Sequence, residues 1–171
     1  MTPIKTQVHD DFLPQEEWEV FESHFMGHSL DWHFLDGVVL PGDGGYQFTH
    51  LLYTEYEPRS QYWQFVEPIF RYLNAASIVR CKANCHPRTE EIQINNFHTD
   101  FPNCVTAIFY ANTCDGKTIF EDGTEVESVA NRIVVFDSNL RHTGTTCTNA
   151  ATRVVVNFNY HIYDDIIKEE S

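Results

Sequence analysis

Two textures of apolar and polar positions divide the chain. Up to about residue 76, apolar side chains recur three and four residues apart, the spacing of one helix face. Trp18, Phe21 and Phe25 follow this pattern behind Asp10, Asp11 and Pro14, which predicts a helix within His9–Phe25 that stops near Gly27. Tyr62, Trp63, Val66, Ile69, Phe70 and Leu73 predict a second helix from about Arg59 to Leu73. Between them, Leu30–Leu40 is aromatic and β-prone and runs into a loop, Pro41–Gly45. From Ser77 the pattern shortens to β-prone runs split by turn residues: Ser77–Asn84, Glu91–Phe97, Val105–Ala111, Lys117–Glu121, Thr124–Glu127, Asn131–Asp137 and Thr152–His161. The expected fold is therefore mainly β with N-terminal helices (α+β). It is a jelly-roll core over about 77–163, braced on one face by a helical support over about 1–76, within a single domain spanning 1–171.

Composition narrows the class of partner. The formal charge of −14 and pI near 4.8 oppose a nucleic-acid backbone or an anionic membrane as partner, while leaving room for a basic pocket inside an acidic shell. No apolar run is long enough for a transmembrane helix, and the first residues lack a secretion-signal layout, so the expectation is a soluble cytoplasmic protein. Cys81, Cys85, Cys104, Cys114 and Cys147 are expected as free thiols. Cys81, Cys85 and His86 superficially resemble a zinc cluster, but no second ligand pair stands at finger spacing.

Chemistry concentrates in the β half. In a strand, His98 and Asp100 would point to one face and could converge on an ion. His142, in a polar stretch just after Ile133–Phe136, is the natural third ligand of a two-histidine, one-carboxylate set. Such a set leaves coordination positions open and suits iron(II). A chance surface pair of His and Asp is the alternative. The period-two test on the last run puts Arg153, Val155, Asn157 and Asn159 on one face and Val154, Val156, Phe158 and Tyr160 on the other. An arginine with two asparagines suits either a water-facing surface or a polar cavity holding an anion, whose carboxylate the planar guanidinium grips through paired hydrogen bonds. Tyr110 shares a face with Thr106 and Ile108 and offers a second donor or a core ring with a polar rim.

Six segments in order, HTD (98–100), VTAIFYAN (105–112), DGKTIFEDG (115–123), NRIVVFDS (131–138), RHTG (141–144) and TRVVVNFNY (152–160), resemble the iron(II)/2-oxoglutarate-dependent dioxygenase superfamily, in its prolyl-4-hydroxylase-like branch. The resemblance spans about Ile92 to Tyr160. It implies a double-stranded β-helix (cupin-like) core, His98, Asp100 and His142 as iron ligands, and Arg153 on the far carboxylate of 2-oxoglutarate, assisted by Tyr110 and bordered by Thr118. It further implies Fe(II), 2-oxoglutarate and O2 as the reacting set, with ascorbate as an accessory. The activity implied is hydroxylation of an unactivated C–H bond, with succinate and CO2 released, on a peptidyl proline or, alternatively, a free amino acid or small metabolite. Relatives often carry a cosubstrate-touching tyrosine on the strand before HxD; Ser77–Asn84 contains none, so either a polar side chain of Glu91–Phe97, Gln93 or Asn95, substitutes or the contact is absent. The separation of His142 and Arg153 implies a small insertion at Thr145–Ala151, and Asn159 stands where several hydroxylases have a bulky aromatic, which implies a roomier pocket. The loop Pro41–Gly45 and the segment Tyr53–Ser60 are candidate substrate edges, and the histidines other than His98 and His142 are expected to be structural or exposed. The competing class is a non-catalytic cupin-type metal-binding barrel, which needs no inward arginine.

Overall fold

The computed structural model describes residues 5–163. Among them are two helices, α1 (Gln15–Phe25) and α2 (Trp63–Tyr72). The strands are β1 (Gln7–His9), β2 (His33–Leu35), β3 (Gln47–Thr54), β4 (Glu57–Pro58), β5 (Ala75–Pro87), β6 (Val105–Tyr110), β7 (Lys117–Phe120), β8 (Glu125–Glu127), β9 (Arg132–Asp137), β10 (His142–Gly144) and β11 (Thr152–Ile162). All pairings are antiparallel. An eight-stranded sheet has the order β1-β9-β6-β11-β5-β3-β2 with β4 on β3, and a three-stranded sheet has the order β10-β7-β8.

The period of two in each long strand decides what covers each face of the large sheet. Val105, Ala107 and Phe109 of β6, Val154, Val156, Phe158 and Tyr160 of β11, and Cys81, Ala83 and Cys85 of β5 join the buried faces of the helices in one core. The helices supply Trp18, Phe21 and Phe25 from α1 and Val66, Ile69 and Phe70 from α2. Phe109 is the pivot, its ring edge-on to Phe21 at 4.9 Å. On the opposite face, Ile108, Tyr110, Val134, Phe136 and Val155 meet Phe120 and Val126 of the small sheet. Arg80, Lys82, Asn84, His86, Arg153 and Asn157 on that face line the cavity described below.

Several expectations shift. The second helix begins at Trp63 rather than near Arg59, and Leu30–Leu40 yields only the short β2. Gln47–Thr54, where no strand is expected, is β3, hydrogen-bonded between β5 and β2. A register shift between Leu51 and Tyr53 interrupts the alternation that would have revealed it. Glu91–Phe97 is the reverse case: it forms no strand, only an isolated bridge of Ile94 to Thr145 just after β10. His142, expected in a polar connection, begins β10. All five cysteines are free and buried. No helix among the described residues is long and apolar enough to cross a membrane.

Candidate active site

The two histidines meet because the backbone pairs them. His98 and His142 form an isolated antiparallel bridge in which each N–H donates to the other's carbonyl, at 3.0 and 2.9 Å. This sets the rings side by side, with centroids 4.7 Å apart. The bridge ends at His98, and Thr99 and Asp100 lie outside any strand or bridge, so the convergence of His98 and Asp100 is not that of a regular strand. Asp100 Oδ1 lies 3.8 Å from His98 Nε2. Its other oxygen accepts from Asn159 Nδ2 at 3.0 Å and Thr106 Oγ1 at 3.3 Å.

These three side chains fit a metal ion. One potential ligand atom from each lies within 4.8 Å of the others. His142 Nδ1 donates to the Leu140 carbonyl at 3.1 Å, which fixes the tautomer and leaves Nε2 with a lone pair; that atom is buried and has no partner in the protein. His98 Nδ1 is held likewise by the Asn96 carbonyl at 3.3 Å. Burial pushes the His142 imidazole below its ordinary value, keeping it neutral as ligation requires. Burial also pushes the Asp100 carboxyl up, but His142, the Asn159 hydrogen bond, Arg80 and His98 together bring it below the usual range. A second cluster, Asp31, His33 and His50, is poorly suited, since both His50 ring nitrogens are already occupied, by the Asp31 carbonyl and the Ser60 hydroxyl, each at 2.7 Å.

Arg153 is 2% exposed on β11, facing the space between the sheets. Its Nε donates to Ser128 Oγ at 2.7 Å and its Nη2 to Thr118 Oγ1 at 3.2 Å. Both partners are neutral, and among the described residues no carboxylate pairs with it. A buried cation without a counter-ion costs several kcal/mol, so this geometry calls for an anion. Two glycines make the space: a Cβ on Gly116 would stand 2.5 Å from Arg153 Cδ and 2.8 Å from the Thr146 carbonyl, and one on Gly144 would stand 3.1 Å from Nη1. Tyr110 is fully buried behind Thr118, and its hydroxyl donates to Thr118 Oγ1 at 2.8 Å. Thr118 therefore accepts two hydrogen bonds and keeps its own proton for the cavity, where it lines the wall and Tyr110 does not.

Arg153 and the three candidate ligands border one cavity of about 680 Å3. Val38, Val39, Leu40 and Gln47 close one side of it. The loop carrying the first three is organised by Asp43, whose carboxylate accepts from the N–H groups of Val38, Val39, Leu40 and Gly45 and is held at about 2 by those bonds, Val39's foremost. Tyr53 and Tyr56, from the other candidate edge, line a separate cavity of about 370 Å3 beside Trp63. Of the two polar substitutes, Asn95 reaches the cavity wall, donating to the Gly144 carbonyl at 2.9 Å.

Four positions of the wall escaped the sequence reading. Arg80, Lys82, Asn84 and His86 alternate along β5 and all face the cavity. His86, expected to be structural or exposed, is 5% exposed, pairs in register with Arg153, and has its Nδ1 without a partner. Burial, then Arg153 and Lys82, push it down to about 3, so it is neutral. Cys81 and Cys85 face the helices on the opposite side of the strand, which rules out a shared metal with His86. The period-two test, applied to Ser77–Asn84 and carried two residues further, would have found this row.

No family model matches the sequence, and no curated protein does. Solved structures do match. A prolyl-4-hydroxylase of Pseudomonas putida is 15% identical, with a TM-score of 0.65 over 95% of this chain and 94% of that one. A 2OG-Fe(II) oxygenase-family oxidoreductase of Burkholderia pseudomallei is 13% identical, with a TM-score of 0.64 over 91% and 84%. A prolyl hydroxylase of Trichoplax adhaerens, in complex with a hypoxia-inducible-factor peptide fragment, is 15% identical, with a TM-score of 0.60 over 91% and 83%. At these identities the likeness is one of fold: this chain has the fold of prolyl-4-hydroxylases and other 2OG-Fe(II) oxygenases.

Proposed function

We propose that the chain is an iron(II)- and 2-oxoglutarate-dependent dioxygenase, its two facing sheets forming a double-stranded β-helix. The observation that carries this is the pairing of two incomplete features in one cavity: a ligand set with an orphaned buried nitrogen, and a buried arginine with no counter-ion among the described residues. A metal-binding barrel without catalysis would account for the first and leave the second unexplained. His98, Asp100 and His142 would hold the iron, and Arg153 with Thr118 would hold the far carboxylate of 2-oxoglutarate. When bound, the iron and its cosubstrate supply the oxidising power, using O2 to hydroxylate a C–H bond as 2-oxoglutarate becomes succinate and CO2.

The protein's own part is orientation and exclusion. Asn159 and Thr106 hold the Asp100 carboxylate on one oxygen, leaving the other toward His98. Phe136 and Phe120 wall His142, their ring centroids 4.8 and 6.2 Å away. Neutral His86, in register with Arg153, adds a polar group to the wall without another charge. The prolyl-hydroxylase fold motivates a peptidyl proline as substrate, whereas the cations in the cavity wall favour a molecule that carries a negative charge.

The decisive measurements are 2-oxoglutarate binding by calorimetry in the presence of Fe(II) under argon, and succinate formation in air. Wild type is expected to bind, and Arg153→Ala to weaken binding by about 3 kcal/mol, roughly a hundredfold, as expected for losing a charge-assisted pair. Equal affinity in the two proteins would overturn the assignment.

A further inference from the structure

Among the described residues, four cations, Arg80, Lys82, Arg141 and Arg153, border the cavity against one carboxylate, Asp100. Two of the four are accounted for. Arg141 is half-exposed and paired with Glu121 at 3.1 Å, and Arg153 is the anchor at the far end. The register of β5 on β11 places Arg153 opposite His86, Asn157 opposite Lys82, and Asn159 opposite Arg80. Lys82 is thus four residues from the Arg153 rung, roughly 13 Å along the strand. A diacid gripped at Arg153 by one carboxylate and bound at the metal by the other has none left for Lys82. Adding a divalent metal and a dianion leaves the cavity's net positive charge unchanged.

Arg80 is held for use. Its guanidinium lies 4.7 Å from the centroid of the Phe101 ring, its Nη2 donates to Asn159 Oδ1 at 3.3 Å, and its Nε is buried with no partner. Its nearest carboxylate oxygen, Asp100 Oδ1 at 3.9 Å, is a candidate metal donor. The neighbouring amides of Asn84 and Asn157 line the same wall. Burial and then Arg80 push the Lys82 ammonium down to about 8, with Asp100 opposing them.

We propose that Arg80 and Lys82 form a second anion site, which takes a carboxylate or phosphate group of the molecule that is oxidised. This deepens the oxygenase reading and rests on it for naming that molecule the substrate. The site makes the preferred substrate an acidic one, oriented by its charge while the C–H bond to be cleaved faces the metal ligands.

The test uses nitrogen-15-labelled protein with Zn(II) and saturating 2-oxoglutarate, titrated with acetate, methyl phosphate or acetamide. The expected result is saturable displacement of the Lys82 and Asn157 amide resonances by at least one of the two anions and none by neutral acetamide. Which anion binds identifies the group. Lys82→Met and Arg80→Met should each weaken that binding by about tenfold or more while leaving 2-oxoglutarate affinity within about twofold, which also shows that they fold. The inference is overturned if acetamide binds as well as the anions, if neither anion binds, if anion binding survives both substitutions, or if the substitutions abolish 2-oxoglutarate affinity instead. Wild type that binds the anions at Lys82 but never 2-oxoglutarate would refute the oxygenase reading and leave the anion site standing.

Discussion

A single amide, Asn159, shows how much of the site depends on residues that would not themselves ligate. Its Nδ2 donates to Asp100 Oδ2 and its Oδ1 accepts from Arg80, so it fixes the carboxylate and the neighbouring cation together. Groups of this kind are typically worth ten- to a hundredfold in metal affinity. Asn159→Leu is therefore expected to weaken iron binding by about that factor, measured by competition with a chromogenic chelator, with 2-oxoglutarate still bound by a metal-saturated sample. His86 makes a prediction in pH. It takes a proton near 6.5 when unfolded and only near 3 when folded. Between those values the unfolded chain binds more protons, so the stability it contributes is complete above about 6.5 and lost as pH falls toward 3, at roughly 1.4 kcal/mol per unit. The melting temperature of the metal-free protein should drop across this window, and His86→Gln should flatten the slope. His142 shifts in the same direction and will leave part of it.

At the level of elements, the site exists where short pieces cross. β10 brings His142 beside His98 and places Gly144 under the Arg153 guanidinium, while Gly116, just before β7, lies against the arginine's aliphatic stem. Neither glycine is there for a turn; each is a gap that the arginine fills. Gly116→Ala forces either Arg153 or the Thr146 backbone to move. The expected outcome is a loss of 2-oxoglutarate affinity of about tenfold or more with the far-ultraviolet circular dichroism unchanged. An unaltered affinity would show that the guanidinium tolerates displacement. The same closeness accounts for the buried hydroxyls: Ser128 and Thr118 fix the guanidinium with neutral acceptors, so its charge stays available for a ligand.

For the whole molecule, the arrangement is a sheet with one dry face and one that is apolar under the small sheet and wet where the cavity lies. The helices seal the dry face, Phe21 against Phe109 and Phe70 against Phe158, and the cavity holds a cluster of unpaired polar groups that ligands would satisfy. Native-state ligands should therefore stabilise strongly. With metal and 2-oxoglutarate each at about a hundred times its dissociation constant, each contributes about 2.7 kcal/mol by linkage, seen as a clear rise in melting temperature. The cosubstrate's increment should fall to about 0.4 kcal/mol in Arg153→Ala at the same concentration and persist in Lys82→Met. The acidic exterior, −14 overall, surrounds a cavity of opposite sign, so charge read from composition described the shell and not the site.

What the chain's own order of residues determined is the content of each face. Alternation along Thr152–Tyr160 separated the helix-facing Val154, Val156, Phe158 and Tyr160 from the cavity-facing Arg153, Val155 and Asn157, because a strand's two-residue period is local and holds wherever the strand lies. Helix spacing placed α1 and α2 to within a few residues for the same reason. What only the tertiary structure decided is which faces meet. The bridge between His98 and His142, the partnership of Asn159 with Asp100, and the pairing of Arg153 with His86 join residues far apart in sequence, through backbone registers that no local pattern encodes. β3 stayed hidden because a register shift breaks its alternation, and Tyr110 could be placed on a face but not behind Thr118, since depth is a property of what packs in front. Local period dictates which way a side chain points; only register and packing dictate what it points at.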